Sequence, residues 1–302
     1  MFTGLSAFPL TPLNEQGIQE QALIGLVTRL AEAQVDSIGV LGSTGSYAYL
    51  SVEERARVAK HCVENAGDVP VVVGIGALRT RDVLTNADNA QKAGASGVLL
   101  APVSYQKLTD DEVFDLYKTV CHSLSVPLCV YDNPGTTYFE FSDELHGRIA
   151  HLPQVRSIKI PPVINDLATA RERIARLRAL IPHDVTIGIS GDPVAAVGLN
   201  AGCEAWYSVI GGLYPNAALA LTRAAQAGDA KQAEALSDAL EPLWALYREY
   251  GGSLRVAATI AEVTGNVRQP CLPQPLKTLQ GDDRRKVEQV LEKLSLAAEF
   301  KY

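Results

Sequence analysis

The chain has 302 residues, 47% of them hydrophobic and 20% charged, with a formal net charge of −7. That composition excludes a disordered chain, and the acidic balance argues against nucleic acid or an anionic membrane surface as the main partner. The length exceeds the common single-domain size, yet a barrel of alternating strands and helices reaches it as one unit.

Residues 1–10 carry no basic segment and Pro9 interrupts their apolar run, so no signal peptide is expected. No stretch approaches the roughly 20 apolar residues that span a bilayer. Cys62, Cys121, Cys129, Cys203 and Cys271 are odd in number, scattered, and form no CxxC pair. They read as reduced thiols, and the expected location is the cytoplasm.

Strand-like apolar runs occupy residues 5–9, 37–41, 70–74, 97–101, 127–131, 155–160, 185–189 and 204–209, with helical patterns between them. Ser51-Val-Glu-Glu54 and Thr109-Asp-Asp-Glu112 are capping boxes that open two of those helices, and Ser142 opens a third. Eight such runs imply parallel strands buried on both faces. The economical solution is an α/β fold, a (β/α)8 TIM barrel, with a doubly wound open sheet as the rival. After about residue 225 the strand signal stops. Residues 229–250, 255–263 and 282–300 read as helices, separated by Gly251-Gly252 and the proline-rich stretch 269–275. The expected division is a barrel over 1–225 that carries the active site and a C-terminal helical extension over 226–302. That extension is either an assembly surface or packing against the outer helices.

Two strand ends carry reactive side chains. The run 127–131 ends at Tyr131, before Asp-Asn-Pro-Gly135, and the run 155–160 carries Lys159 between Ile158 and Ile160. An ammonium in such surroundings is desolvated, which favours the neutral, nucleophilic amine. Alternation places Val155, Ser157 and Lys159 on one face, with Arg156, Ile158 and Ile160 on the other. Side chains at the C-terminal ends of barrel strands share one mouth. There they bring together the Gly42-Ser43-Thr44-Gly45 turn, Tyr105, Tyr131, Lys159, Ser190-Gly191-Asp192 and Ser208.

This set suits imine chemistry. Lys159 attacks a carbonyl, Tyr131 shuttles the proton that expels water, and Ser43 and Tyr105 extend the relay. Gly42 and Gly45 let the backbone approach a carboxylate, with hydroxyls from Ser43 and Thr44. Asp192 either caps the following helix or touches substrate. No metal or organic cofactor is required, only a covalent imine on lysine. His61, His122, His146, His151 and His183 form no ligand pair and read as surface or packing residues. Gly74-Ile-Gly76 reads as barrel packing.

The residues then resemble a known family. Gly42-Ser-Thr-Gly45 followed by Leu50-Ser-Val-Glu-Glu54-Arg55, Tyr105-Gln-Lys-Leu-Thr109, Tyr131-Asp-Asn-Pro134-Gly135, Ile158-Lys159 and Ser190-Gly191-Asp192 resemble, in order, motifs of the dihydrodipicolinate synthase and N-acetylneuraminate lyase family. The likeness runs from about residue 3 to 215. It implies a barrel, usually tetrameric, that binds pyruvate or another 2-oxo acid as an imine on Lys159. It also implies Tyr131 as central acid and base, Ser43 and Tyr105 in the relay, and Tyr105 available to a neighbouring subunit's site. Thr44 and the backbone near Tyr207 hold the pyruvate unit on this view. Thr136 stands where dihydrodipicolinate synthases usually have an arginine for the aldehyde's carboxylate, which counts against lysine biosynthesis as the role. Ser46, Pro193 and Trp206-Tyr207 also depart from the usual pattern.

The expectation is a class I, metal-independent lyase or aldolase that is a homo-oligomer, dimer or tetramer. Alternatives are a keto-deoxy sugar acid dehydratase or aldolase using the same imine, an authentic 4-hydroxy-tetrahydrodipicolinate synthase, and a non-catalytic sensor or scaffold. A metal-dependent aldolase or phosphate-binding isomerase barrel is disfavoured by the lack of a His/carboxylate cluster.

Overall fold

Eight parallel strands close into a barrel in the computed structural model, which describes residues 1–295. They are β1 (Gly4–Ala7), β2 (Ser37–Val40), β3 (Val71–Gly74), β4 (Gly97–Leu100), β5 (Leu128–Tyr131), β6 (Val155–Ile160), β7 (Thr186–Ser190) and β8 (Ala205–Ser208). Each neighbours the next in sequence, and β1 closes the ring between β8 and β2. The eight apolar runs of the sequence match these strands to within two residues at each end.

Alternation along the strands builds two cores. Val72, Leu99, Cys129, Tyr131 and Tyr207 point into the barrel, while Val71, Val98, Val130, Ile158 and Trp206 meet the surrounding helices. Those helices are α1 (Glu20–Glu32), α2 (Val52–Asn65), α3 (Thr80–Lys92), α4 (Asp110–Ser123), α5 (Pro134–Thr137), α6 (Asp143–Ala150), α7 (Leu167–Arg178), α8 (Ala195–Asn200) and α9 (Pro215–Gln226). Both capping boxes form: Ser51 with Glu54 opens α2, and Thr109 with Glu112 opens α4. The Ser142 hydroxyl accepts from Leu145 N at the start of α6.

The remaining helices are α10 (Ala230–Ala239), α11 (Glu241–Glu249), α12 (Ser253–Val263) and α13 (Gly281–Lys293). The expected single helix over 229–250 is thus two. Pro242 lacks the N–H that would continue the α10 ladder, and it starts α11 instead. The expected helix over 282–300 is seen as α13; residues 296–300 lie outside the described residues. Helix α10 packs on α8 and α9, and α11 reaches the Asp192–Val194 turn after β7. Leu243, Trp244, Val256 and Ile260 belong to the same outer core as the barrel strands. The extension is therefore packed against the barrel.

Two local features escape periodicity. A hairpin of Leu13–Asn14 with Gly17–Ile18 has strands too short to show a period. In β6, Val155 packs in the outer core rather than on the Lys159 face. The ladder with β5 passes from Val155 to Ser157, so the irregularity at Arg156 resets the alternation. Among the described residues, no helix is long and apolar enough to cross a membrane.

Gly74 ends β3 where a Cβ would lie 1.9 Å from the Leu41 carbonyl oxygen, whereas a Cβ at Gly25, in α1, would meet nothing within 4 Å. The same substitution should therefore act with opposite signs. Gly74→Ala is expected to lower stability by about 1–3 kcal/mol. Gly25→Ala should leave stability unchanged or raise it by up to about 1 kcal/mol, both read by urea denaturation.

Candidate active site

Strand register sets the first contact. Tyr131 pairs with Lys159 across β5 and β6, and Lys159 pairs with Gly188 across β6 and β7. Gly188 has no side chain where the Tyr207 ring lies, since a Cβ there would be 2.2 Å from that ring. Gly39 makes the same room for Phe8, at 2.3 Å. Three rings consequently surround the lysine. Lys159 Nζ lies 4.1 Å from the Tyr131 centroid, 4.4 Å from Phe8 and 5.6 Å from Tyr207.

Lys159 is 6% exposed. Burial lowers its pKa from 10.5 to about 8, against the opposing pull of Cys129 and Asp192. At pH 7 about one amine in ten is then neutral, against fewer than about one in a thousand at the ordinary value. The geometry thus leaves a fraction of the amine neutral.

A hydrogen-bonded group of hydroxyls stands beside it. The Tyr131 hydroxyl lies 3.3 Å from Ser43 Oγ. Asn133 Nδ2 is placed to donate to Tyr131 Oη at 2.9 Å, to Ser43 Oγ at 3.2 Å and to Thr136 Oγ1 at 2.6 Å. Two amide hydrogens serve three oxygens, so they are shared. Burial pushes the Tyr131 phenol up to about 12, with Ser43 opposing, which keeps it protonated at neutral pH.

Other residues close the walls. Thr44 is buried and borders the cavity, and Gly191 enters the same rim at φ +87. Asp192 also reaches it, but its carboxylate already accepts from Trp206 Nε1 at 3.0 Å, Val209 N at 3.2 Å and Ile210 N at 2.7 Å. It fastens the turn after β8 and does not cap the helix that follows it. Burial raises its pKa despite those donors. Tyr207 turns its hydroxyl away from the mouth, 2.6 Å from Ser157 Oγ, and accepts from Cys129 Sγ at 3.4 Å. Its ring walls the site while its phenol is sealed beneath. Thr136 is exposed at the rim on α5.

Tyr105 is the exception. It is 90% exposed in the loop after β4 and does not border the cavity of its own chain. A loop residue with no core to hold it goes where its backbone leads, and this loop leads outward.

Sequence reasoning missed three contributors. Asn133 was hidden in a turn motif where proline and glycine drew attention. Phe8 lies beyond the end of β1, and its role is visible only as the partner of Gly39. Arg248, at the end of α11, borders the mouth although no strand carries it. The cavity measures about 500 Å³ and is enclosed by strand ends on one side and the α11–α12 turn on the other. Among the described residues, no group of three or more His, Cys, Asp or Glu is placed to hold a metal ion.

Comparison with known proteins gives a consistent answer. The sequence profile of the dihydrodipicolinate synthetase family matches residues 1–294. The chain is 31% identical over 246 residues to the 4-hydroxy-tetrahydrodipicolinate synthase of Brucella abortus, covering 80% of this chain and 82% of that one. It is 29% identical to the enzyme of the same name from Anaplasma marginale, covering 100% of this chain and 96% of that one. Among solved structures, a dihydrodipicolinate synthase from Agrobacterium tumefaciens superposes with a TM-score of 0.93 at 44% identity, covering 97% of this chain and 98% of that chain.

The depressed lysine pKa has a cost in stability. Between pH 8 and 10.5 the unfolded chain binds a proton at Lys159 that the folded one has released, so stability rises with pH through that window. Below pH 8 the penalty is complete. Lys159→Met should therefore stabilise the protein at pH 7, by on the order of 3 kcal/mol. The gain should shrink as pH rises from 8 to 10.5, as read by denaturant unfolding at several pH values.

Proposed function

The chain belongs to the dihydrodipicolinate synthetase family, and from that premise we propose how its own residues perform Schiff-base carbon–carbon lyase chemistry. The reading rests chiefly on one juxtaposition: a buried lysine of depressed pKa lying 4.1 Å from the ring of a protonated tyrosine.

Neutral Lys159 attacks the keto carbon of pyruvate or another 2-oxo acid. The nitrogen–carbon bond forms as the carbonyl oxygen takes a proton from Tyr131, and the amine's surplus proton returns to the tyrosine. The carbinolamine then loses its hydroxyl as water, with the same phenol supplying the proton, which leaves the iminium. That iminium draws electrons from the adjacent carbon, so a neighbouring C–H or C–C bond can break or form. Ser43 and Asn133 hold the Tyr131 hydroxyl in place, and the Ser43 hydroxyl carries its proton onward. The Ser43-Thr44 turn receives the 2-oxo acid's carboxylate. No further cofactor enters this scheme.

The substrate side is narrowed by Thr136. Its hydroxyl is engaged by Asn133, and a neutral threonine cannot replace a bidentate guanidinium for a small carboxylate-bearing aldehyde. The rim of Ser43, Thr44, Asn133, Thr136 and Ser190 instead suits a polyhydroxylated chain. A sugar-derived keto-deoxy acid, cleaved or dehydrated through the same imine, is the reading favoured over lysine biosynthesis. The exposed Tyr105 is assigned to a neighbouring copy's relay in a dimer or tetramer. The cytoplasm is the proposed location, in keeping with five buried, unpaired cysteines.

Borohydride treatment with pyruvate present should leave one reduced adduct on Lys159, detected by peptide mass mapping. Absence of any adduct with pyruvate or sugar-derived 2-oxo acids would overturn the assignment. Tyr131→Phe keeps the ring and removes only the proton relay, so the protein should fold normally. Its kcat should fall about 10²–10⁴-fold; near-normal turnover would remove Tyr131 from the mechanism.

A further inference from the structure

We propose that Arg248 is a specificity-determining residue, and that it selects 2-oxo acids carrying a second, distal carboxylate. The inference rests on the imine reading of this cavity and adds a substrate class to it.

Lys159 and Arg248 are the two cationic side chains among the described residues that border the cavity. The lysine becomes the imine nitrogen, so it cannot also serve a distant anion. The position expected to supply a guanidinium, Thr136, is neutral and already engaged by Asn133. Arg248 approaches the same mouth from the opposite side, on a different part of the chain. Its side chain is 57% exposed, and its guanidinium forms an ion pair through Nη2 with Glu241 on the same helix. That single contact anchors the head and leaves the rest of a five-donor fork for a carboxylate.

The surroundings fit an anion. Asp192 borders the cavity, but its oxygens are occupied by three donors, so it does not compete for Arg248. Gly251 and Gly252, at φ +67 and +140, bend the chain over the mouth. Helix α12 then starts at Ser253 without a side-chain cap. Its positive end adds a favourable field beside the guanidinium. A substrate tethered at Lys159 by its keto carbon would thus present its far end to Arg248.

The test compares two acids of equal length, 2-oxoadipate and 2-oxohexanoate, which differ in the distal carboxylate. Borohydride trapping at limiting concentration, read by intact mass, gives the preference of each variant. Wild-type protein should favour 2-oxoadipate by about tenfold, the size of one charge-assisted contact near solvent. Arg248→Gln, similar in stem and uncharged, should abolish that preference, and Arg248→Lys should keep part of it. If wild-type protein traps pyruvate yet does not distinguish the two acids, or if Arg248→Gln still does, the inference falls and the imine reading stands. If wild-type protein traps none of the three acids, the inference falls, and if sugar-derived 2-oxo acids leave no adduct either, the imine reading falls with it.

Discussion

The architecture is organised around removing water from one amine without giving it a counterion. Lys159 stands among the rings of Phe8, Tyr131 and Tyr207, and the acid nearest in effect, Asp192, is satisfied by three donors. A free carboxylate in that place would hold the lysine charged and inert. Aromatic faces offer a cation some attraction while doing little to keep it protonated, so burial decides the balance. The result is an amine that burial leaves partly neutral at physiological pH, at a cost in stability.

That penalty is borne by a rigid surround. Gly39 and Gly188 yield their side-chain volume to Phe8 and Tyr207, so the rings are fixed by the backbone of other strands. Behind the site, Asp132 N donates to the Lys159 carbonyl at 3.0 Å, and His146 meets the Asp132 carboxylate at 3.3 Å. The His146 imidazole stacks on Phe141 with centroids 4.8 Å apart. The strand end that carries Lys159 is therefore tied to its neighbour and, through it, set against α6. Precision in such a site comes from regular elements more than from loops.

Much of this could be read from the sequence because strands and strand ends announce themselves. Eight buried parallel strands must be apolar on both faces, which makes their runs conspicuous, and a lysine between isoleucines breaks such a run visibly. Capping boxes fix helix starts by local chemistry alone, and those at Ser51 and Thr109 formed as read. What stayed hidden depends on contacts between distant segments. Phe8 acquires its role from Gly39, and Asn133 from the approach of Ser43 across the mouth. Arg248 is one of several surface-like arginines in a helical pattern until the packing of α11 places it. Tyr105 stands outside the mouth of its own chain for the complementary reason, since that chain offers it nothing to pack against. Val155 changed faces because a single irregularity in the ladder outweighs strict alternation.

The cavity draws on both Phe8 and Arg248, which are 248 − 8 = 240 positions apart. A chain emerging from the ribosome has therefore made its nucleophile long before it makes the far wall of the chamber. Without α11 and the turn that follows it, the mouth would lack the wall that Tyr247, Arg248 and Gly251 give it. The C-terminal helices are thus part of the chamber as well as of the outer core.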